Sequence, residues 1–505
     1  MAAGLTRPTA PPGTDRVRVA LLVVSTALLL AVGLTAPNAA QPDLGPRGWV
    51  PGTLVPVGFG PATVTGLLWA AYLAAAVAVV LGLRSGTGPL RSWRVPGALG
   101  VLALLSAPFG SADHVNYVAY GRILVTGGDP WVERPVDWGG GADPVTSRVE
   151  APWTEEASVY GPFGTLLHGL SALVGGENLR VGVWVWQVLV VLAWLALRWG
   201  LRRVLPEDAH GRVDVLWTLN PLVLGIGVLG AHIDVVAAAL VVAAVAAAVA
   251  GHHVTTARAA ASGVLVALAG STKITYAVVA VGLLAAWWAT GTRGAAWARA
   301  AAAHLVGFVL AGVALHAWAG PHVYDQLVRS RQAVSLATPW RPLLEWGRGT
   351  VGNSEIRLLI SIAAAVLAVV LALCLLRLTR PVDRGAPGVV ALWVTGCLAL
   401  AYSLAAPYAL PWYDLLAWGA LPALVAGPVD VLATLRLTAL AVAYVPGRVV
   451  GMTPGVEEVT LGVRRGVVPW VGLALWLAVI VAGARPGSWR SSAPPRRGRG
   501  APPTR

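Results

Sequence analysis

VPGALGVLALLSAPFGSADHVNYVAYGR, residues 95–122, is the stretch that decides the fold. Its first half is apolar enough to lie in lipid. Directly after it stands an acid, Asp113, followed by His114, Asn116, Tyr117, Tyr120 and Arg122. A carboxylate fixed where a membrane helix meets water is costly to keep without a task, so it marks a functional site by default. If the residues after Asp113 are helical, Asp113, Tyr117 and Tyr120 share one face at i, i+4 and i+7. A carboxylate beside aromatic rings suits a sugar, because rings cover pyranose faces and the acid can take a hydroxyl proton. Asp113 is therefore expected to be the catalytic base, against the competing reading that it, like Ser111, only caps a helix.

The rest of the chain repeats the apolar half of this stretch. Of its 505 residues, 56% are hydrophobic and only 12% charged, with a mean hydropathy of +0.69. No soluble domain of this size has such a composition. Apolar runs long enough to cross a bilayer as helices fall near 17–36, 62–83, 95–110, 180–199, 213–230, 232–250, 258–271, 274–290, 300–319, 355–377, 387–406, 411–426, 432–447 and 467–484. The expected fold is an all-α, polytopic integral membrane protein of about 14 transmembrane helices. Residues 1–484 form one transmembrane domain in this reading, and the Pro-, Gly- and Arg-rich segment 485–505 a disordered basic tail.

The formal net charge of +14 is spread over short breaks and the two tails, which excludes a basic face for nucleic acid. It fits the positive-inside rule instead. With an even number of spans, both termini and the arginines near 84–94, 198–212, 293–299 and 377–384 fall on the cytoplasmic side of the cell membrane. Large outer loops are then expected at 111–179, 320–354 and 447–465. The apolar run Pro162–Gly175 is too short to span and is read as a re-entrant or interfacial helix. The loop 320–354 breaks the rule with Arg329, Arg331, Arg341 and Arg348; either the topology is wrong there or these arginines meet an anion. A cleaved signal peptide over the first run competes with an uncleaved span, which the topology favours. Cys374 and Cys397 lie inside spans and exclude a disulfide scaffold.

Further candidates sit at breaks between spans. Asp129, before Pro130, reads as a turn residue rather than a second acid. His232 and Asp234 suit the lining of a polar pocket better than a metal, with a plain hairpin turn as the competing reading. Lys273 is the only lysine; beside Ser271 and Thr272 it suits a phosphate, or else snorkels to headgroups. Trp412 and Tyr413, in Pro411-Trp412-Tyr413-Asp414, are substrate-contact candidates that could equally be interfacial anchors. His252-His253 reads as cytoplasmic loop. No phosphate-binding loop, dinucleotide fingerprint or nucleophile elbow is present, which argues against an energy-coupled pump.

Taken together the motifs resemble the GT-C glycosyltransferases that use polyprenol-phosphate sugars, in particular the alpha-1,6-mannosyltransferases of mycobacterial and corynebacterial envelopes. The resemblance rests on Asp113 to Arg122 with Gly128-Asp129-Pro130-Trp131, then Tyr160-Gly161-Pro162, Asn220-Pro221, Gly230-Ala231-His232-Ile233-Asp234, Lys273 and Pro411-Trp412-Tyr413. His114 stands where the family often has a second acid or Val, Ile233 where Asn is common, and Trp131 where Tyr is usual. These departures bear on the sugar and linkage more than on the fold.

The resemblance implies a large first catalytic outer loop. It also implies transfer of mannose from polyprenol-phosphate-mannose to a mannan or lipoglycan acceptor on the outer membrane face, in an alpha-1,6 linkage. Asp113 would be the base of a single inverting displacement, with Arg122 holding it ionised. Lys273 or Arg329 would neutralise the leaving phosphate. His114, Tyr117, Tyr120, Asp129, Tyr160, His232 and Asp234 complete the expected substrate-binding set. No cofactor is expected, and no divalent metal. The rival readings are a lipid-linked sugar flippase or transporter, a membrane scaffold, and a GT-C enzyme using another sugar or acceptor.

Overall fold

The computed structural model describes residues 12–45, 50–85, 88–249 and 254–485. The basic tail beyond 485, the start of the chain and His252-His253 lie outside the described residues. Among those described, the chain is helical throughout, with a single isolated bridge between Pro381 and Leu424. Lipid has no water to satisfy backbone N–H and C=O groups, so a chain this apolar closes its hydrogen bonds within helices.

Eight helical segments are long and apolar enough to cross a membrane: Thr14–Leu34, Pro61–Ser85, Leu179–Val204, Glu207–Leu229, Gly294–Ala319, Asn353–Leu378, Pro387–Ala405 and Pro454–Ala484. The other six expected spans correspond to shorter segments, from the 12 residues of Arg94–Leu105 to the 17 of Ile233–Val249. At about 1.5 Å per residue these reach roughly 18–26 Å, less than a full hydrocarbon layer. The expected span near 411–426 is the most broken, built from 3-10 turns at Pro411–Asp414 and Leu421–Ala423 around a single helical turn and a half. Outward-facing Leu305, Leu310, Val313, Leu358, Ile362 and Val366 leave an apolar exterior that suits lipid, and the protein is a multi-pass membrane protein.

The bundle has two ends of different chemistry. At one end Arg198 and Arg202 pair with Asp214, at 3.1 and 3.2 Å, and Arg212 pairs with Asp430 at 2.9 Å. Arg18 approaches Gly82, and Gly483 packs on Cys374, so the start of the first described helix and the end of the last both lie there. At the opposite end the expected outer loops meet one another. Arg448 pairs with Glu150, Ser335 N–H donates to the Pro407 carbonyl at 2.9 Å, and Trp318 packs edge-on against Trp131.

Helices α4 (Asp113–Val125) and α5 (Pro162–Gly175) belong to this second end. The first turn of α5 lies against Ser271 and Thr272, and its last residue against Gly182, so it stays at one end instead of crossing. Its Leu166, Leu170, Leu173 and Val174 face outward, as suits a short helix lying at a lipid boundary.

Candidate active site

Helix α4 starts with Asp113 as its first residue, at the positive end of the helix dipole. The cap position is Ala112, which supplies no side-chain hydrogen bond; the Asp113 N–H is instead taken by the Ser111 hydroxyl at 3.2 Å. Asp113 therefore does not cap the helix, and its carboxylate faces a cavity of about 1000 Å³. Burial raises this carboxyl, Lys273 pulls it back and Asp234 pushes it up again, leaving it at about 7. Its Oδ2 lies 3.5 Å from Nδ1 of His232, whose ring is stacked on Trp412 with centroids 3.7 Å apart.

The turn at Gly230-Ala231-His232 is held by Trp186 and Gln187. Trp186 donates to the Ala231 carbonyl at 2.7 Å, and Gln187 to that of Val228 at 2.8 Å. Ala231 has φ +54, a conformation costly for a residue with a Cβ and kept only where its surroundings enforce it. The turn puts Asp234 in the next helix against the break at Lys273. Lys273 Nζ donates to Asp234 Oδ1 at 2.6 Å, and the Tyr276 hydroxyl donates to the same oxygen at 2.9 Å. The ammonium also sits 3.6 Å from the centroid of the Tyr413 ring. Burial pushes the lysine below its usual value, and Asp234 opposes that.

Gly161 joins the first outer loop to this group. A Cβ there would come within 2.3 Å of the Ser271 carbonyl oxygen, so only glycine permits the approach that brings Tyr160 to the same cavity as Lys273. The Asp129 turn supports that loop: Asp129 Oδ1 accepts the Trp131 N–H at 2.9 Å, and the Trp131 indole donates to the Tyr160 carbonyl at 2.7 Å.

Of the residues expected at the site, Asp113, Tyr120, Tyr160, Asp234, Lys273, Arg329, Trp412 and Tyr413 line one cavity. His232 backs Asp113 from a smaller adjoining hollow. Four residues lie elsewhere. Arg122 does not neutralise Asp113: nine residues along α4, about 13 Å at helical rise, it pairs with Asp143 at 2.9 Å. Asp129 is consumed by its turn. His114 is fully buried, and burial together with Arg448 drives its imidazole down to about 3, so it is uncharged near neutrality. Tyr117 is fully buried and stacked on His168 with centroids 4.9 Å apart, behind the cavity wall. Asn116, Tyr276, Arg331 and Tyr408 also line the cavity, although they are not in the substrate-binding set expected from the sequence. Each had a sequence signal: Asn116 three residues after Asp113, Tyr276 three after Lys273, and Arg331 in the arginine-rich outer loop, while Tyr408 lies three before Pro411. Among the described residues, no three His, Cys, Asp or Glu side chains are placed to hold a metal ion.

Fold and site thus define a multi-pass membrane protein with an acid, a lysine and tyrosines around one large cavity at the end opposite its arginine-rich face. The family described as alpha-(1->6)-mannopyranosyltransferase, N-terminal domain, matches residues 20–290, and the chain belongs to that family. It is 30% identical over 131 residues to alpha-(1->6)-mannopyranosyltransferase A of Mycobacterium tuberculosis, 26% of this chain and 25% of that one. A probable alpha-(1->6)-mannopyranosyltransferase of Mycolicibacterium smegmatis is 33% identical over 147 residues, 28% of this chain and 25% of the relative. The Corynebacterium glutamicum mannopyranosyltransferase A is 25% identical over 137 residues, 27% of each chain. These alignments span about a quarter of the curated relatives' length. The crystal structure of ArnT from Cupriavidus metallidurans bound to undecaprenyl phosphate superposes over 82% of this chain and 76% of that one, with a TM-score of 0.40 and 14% identity.

Proposed function

We propose that this protein is a GT-C glycosyltransferase that moves mannose from polyprenol-phosphate-mannose to a hydroxyl of an alpha-mannan or lipoglycan acceptor, in an alpha-1,6 linkage. The observation that carries the reading is Asp113 facing the same cavity as the Lys273–Asp234 pair. With its carboxyl at about 7, Asp113 is half-ionised near neutrality and suited to take a proton. The acceptor hydroxyl loses its proton to Asp113 as its oxygen attacks the anomeric carbon. The bond to the phosphate oxygen breaks on the opposite face, so the configuration inverts.

The leaving group is already an anion and needs a cation rather than an acid. Lys273 supplies one inside the cavity and Arg329 a second at its rim. Asp234 Oδ2 is buried without a partner among the described residues, a free acceptor for a sugar hydroxyl. Tyr120, Tyr160 and Trp412 provide ring faces for pyranose. The donor's own phosphodiester drives the transfer, with no nucleotide and no divalent metal in the scheme. The cavity end is assigned to the outside of the cell membrane and the arginine-rich end, with both termini, to the cytoplasm.

The test is a membrane assay with polyprenol-phosphate-mannose and a short alpha-1,6-mannoside, comparing wild type with Asp113→Asn. Loss of turnover with donor binding retained is expected. Equal turnover by the variant removes the proposed base.

A further inference from the structure

The excess of arginine in the loop 320–354 persists in space. The contacts Ser335–Pro407 and Trp318–Trp131 fix that loop at the cavity end, so an inverted local topology does not account for its charge. Nor do neighbouring acids: Asp325 is bonded to His322, Glu345 to Arg341, and Glu355 to Ser354. Arg348 and Arg357 both turn to one neutral atom, Oδ1 of Asn353, each with its Nε 3.1 Å away, and Arg357 Nη1 also donates to the Gln332 carbonyl. The two guanidinium nitrogens are thus separated by at most twice that distance, with no carboxylate on either among the described residues. Beside them a hollow of about 520 Å³ opens between Arg329, Asn353 and Arg357, and it shares Arg329 and Ser330 with the mouth of the main cavity.

Arg357 lies in the first turns of the helix Asn353–Leu378, and directly after it Leu358, Leu359 and Ile362 face outward. We infer that the Arg348–Arg357 pair, at the edge of the hollow that Arg357 lines, binds the phosphate of an anionic lipid headgroup while the acyl chains lie along that apolar helix face. Guanidinium groups take phosphate oxygens in pairs, and these two are held by neutral oxygens alone among the described residues. Arginines kept against the usual charge asymmetry of membrane proteins then have a task at headgroup level. The site is distinct from the donor phosphate position at Lys273 and stands whether or not the transfer reaction is as proposed.

The full chain, reconstituted in phosphatidylcholine bilayers, is titrated with spin-labelled phosphatidic acid and, separately, spin-labelled phosphatidylcholine; the immobilised fraction gives the preference between them. Wild type is expected to prefer phosphatidic acid. The double variant R348Q/R357Q should lose about fivefold or more of that preference, R348K/R357K, which keeps the charges but not the paired donors, should lose less, and R341Q, whose partner is Glu345, should leave it unchanged. Undiminished preference in R348Q/R357Q overturns the site, and so does equal loss in R348K/R357K, since charge would then not be what binds. Displacement of the probe by millimolar inorganic phosphate at constant ionic strength assigns the hollow to soluble phosphate esters and overturns the lipid reading.

Discussion

Lys273 and Asp234 form a buried ion pair 2.6 Å long, the lysine 19% and the acid 1% exposed at their side chains. Each comes from a break between apolar helices, and each leaves the other uncompensated if removed. Removing one member of such a pair costs about 3–5 kcal/mol, while replacing both is far milder. Lys273→Met should therefore lower the melting temperature in detergent sharply, and Lys273→Met with Asp234→Asn should recover most of the loss. Thermal unfolding of the three proteins measures this; a double variant no more stable than the single one contradicts the pairing. Both are expected to be inactive.

The acid limb of the pH profile should report Asp113. A base works only when deprotonated, so turnover falls as pH drops through its pKa. With burial placing that near 7, kcat/KM is expected to decline about tenfold per pH unit below that point. Initial rates between pH 5 and 9 check it, with residual activity of Asp113→Asn, about 10²–10⁴-fold lower, independent of pH over the same range. A limb near pH 4 would mean the carboxyl is not desolvated when substrate is bound.

What could be read in the sequence was charge out of place. Asp113, Asp234, Lys273 and Arg329 are ionisable groups at the ends of apolar runs, and such groups are too costly near lipid to be accidental. All four line the cavity. The failures concern packing at long sequence separation. Arg122 is near Asp113 in sequence, but its partner Asp143 comes from a more distant part of the loop. Tyr117 shares the expected helix face with Asp113 and Tyr120, but His168 of α5 covers its ring, and nothing local to residues 113–125 reports how closely α5 approaches. Tyr408 lines the cavity, yet from sequence it is indistinguishable from an interfacial anchor, because anchors and cavity walls use the same side chain. The span count suffers from a similar ambiguity: Pro411–Ala423 is apolar enough to look continuous, yet its prolines break it into separate turns.

Because the Tyr117 ring stacks on His168 and meets Tyr160 and Trp186 edge-on, its contribution is to the wall and not to substrate. Tyr117→Phe keeps the ring and should leave KM within about twofold of wild type, whereas Tyr117→Ala should cost about 3–5 kcal/mol of stability through the cavity it leaves. A large KM change for the phenylalanine variant would return Tyr117 to the substrate site.

The position of Asp113 depends on how closely α4 and α5 approach, and that is set by one glycine. A Cβ at Gly121 would stand 2.1 Å from the carbonyl oxygen of His168, a backbone atom that cannot swing aside. Gly121→Val must force the two helices apart, and overpacking of this kind costs about 1–3 kcal/mol or more. The displaced α4 carries Asp113 with it, away from His232 and from the anomeric carbon of a donor whose phosphate is held at Lys273. Displacements of about 1 Å at a reacting group can cost 10²-fold in rate. Gly121→Val, eight residues along the helix from Asp113 and itself outside the cavity lining, is therefore expected to lower kcat about a hundredfold while donor affinity changes little. Comparing single-turnover rates with equilibrium donor binding in the folded fraction separates the two, and normal turnover by the variant would mean that the α4–α5 contact does not position the acid.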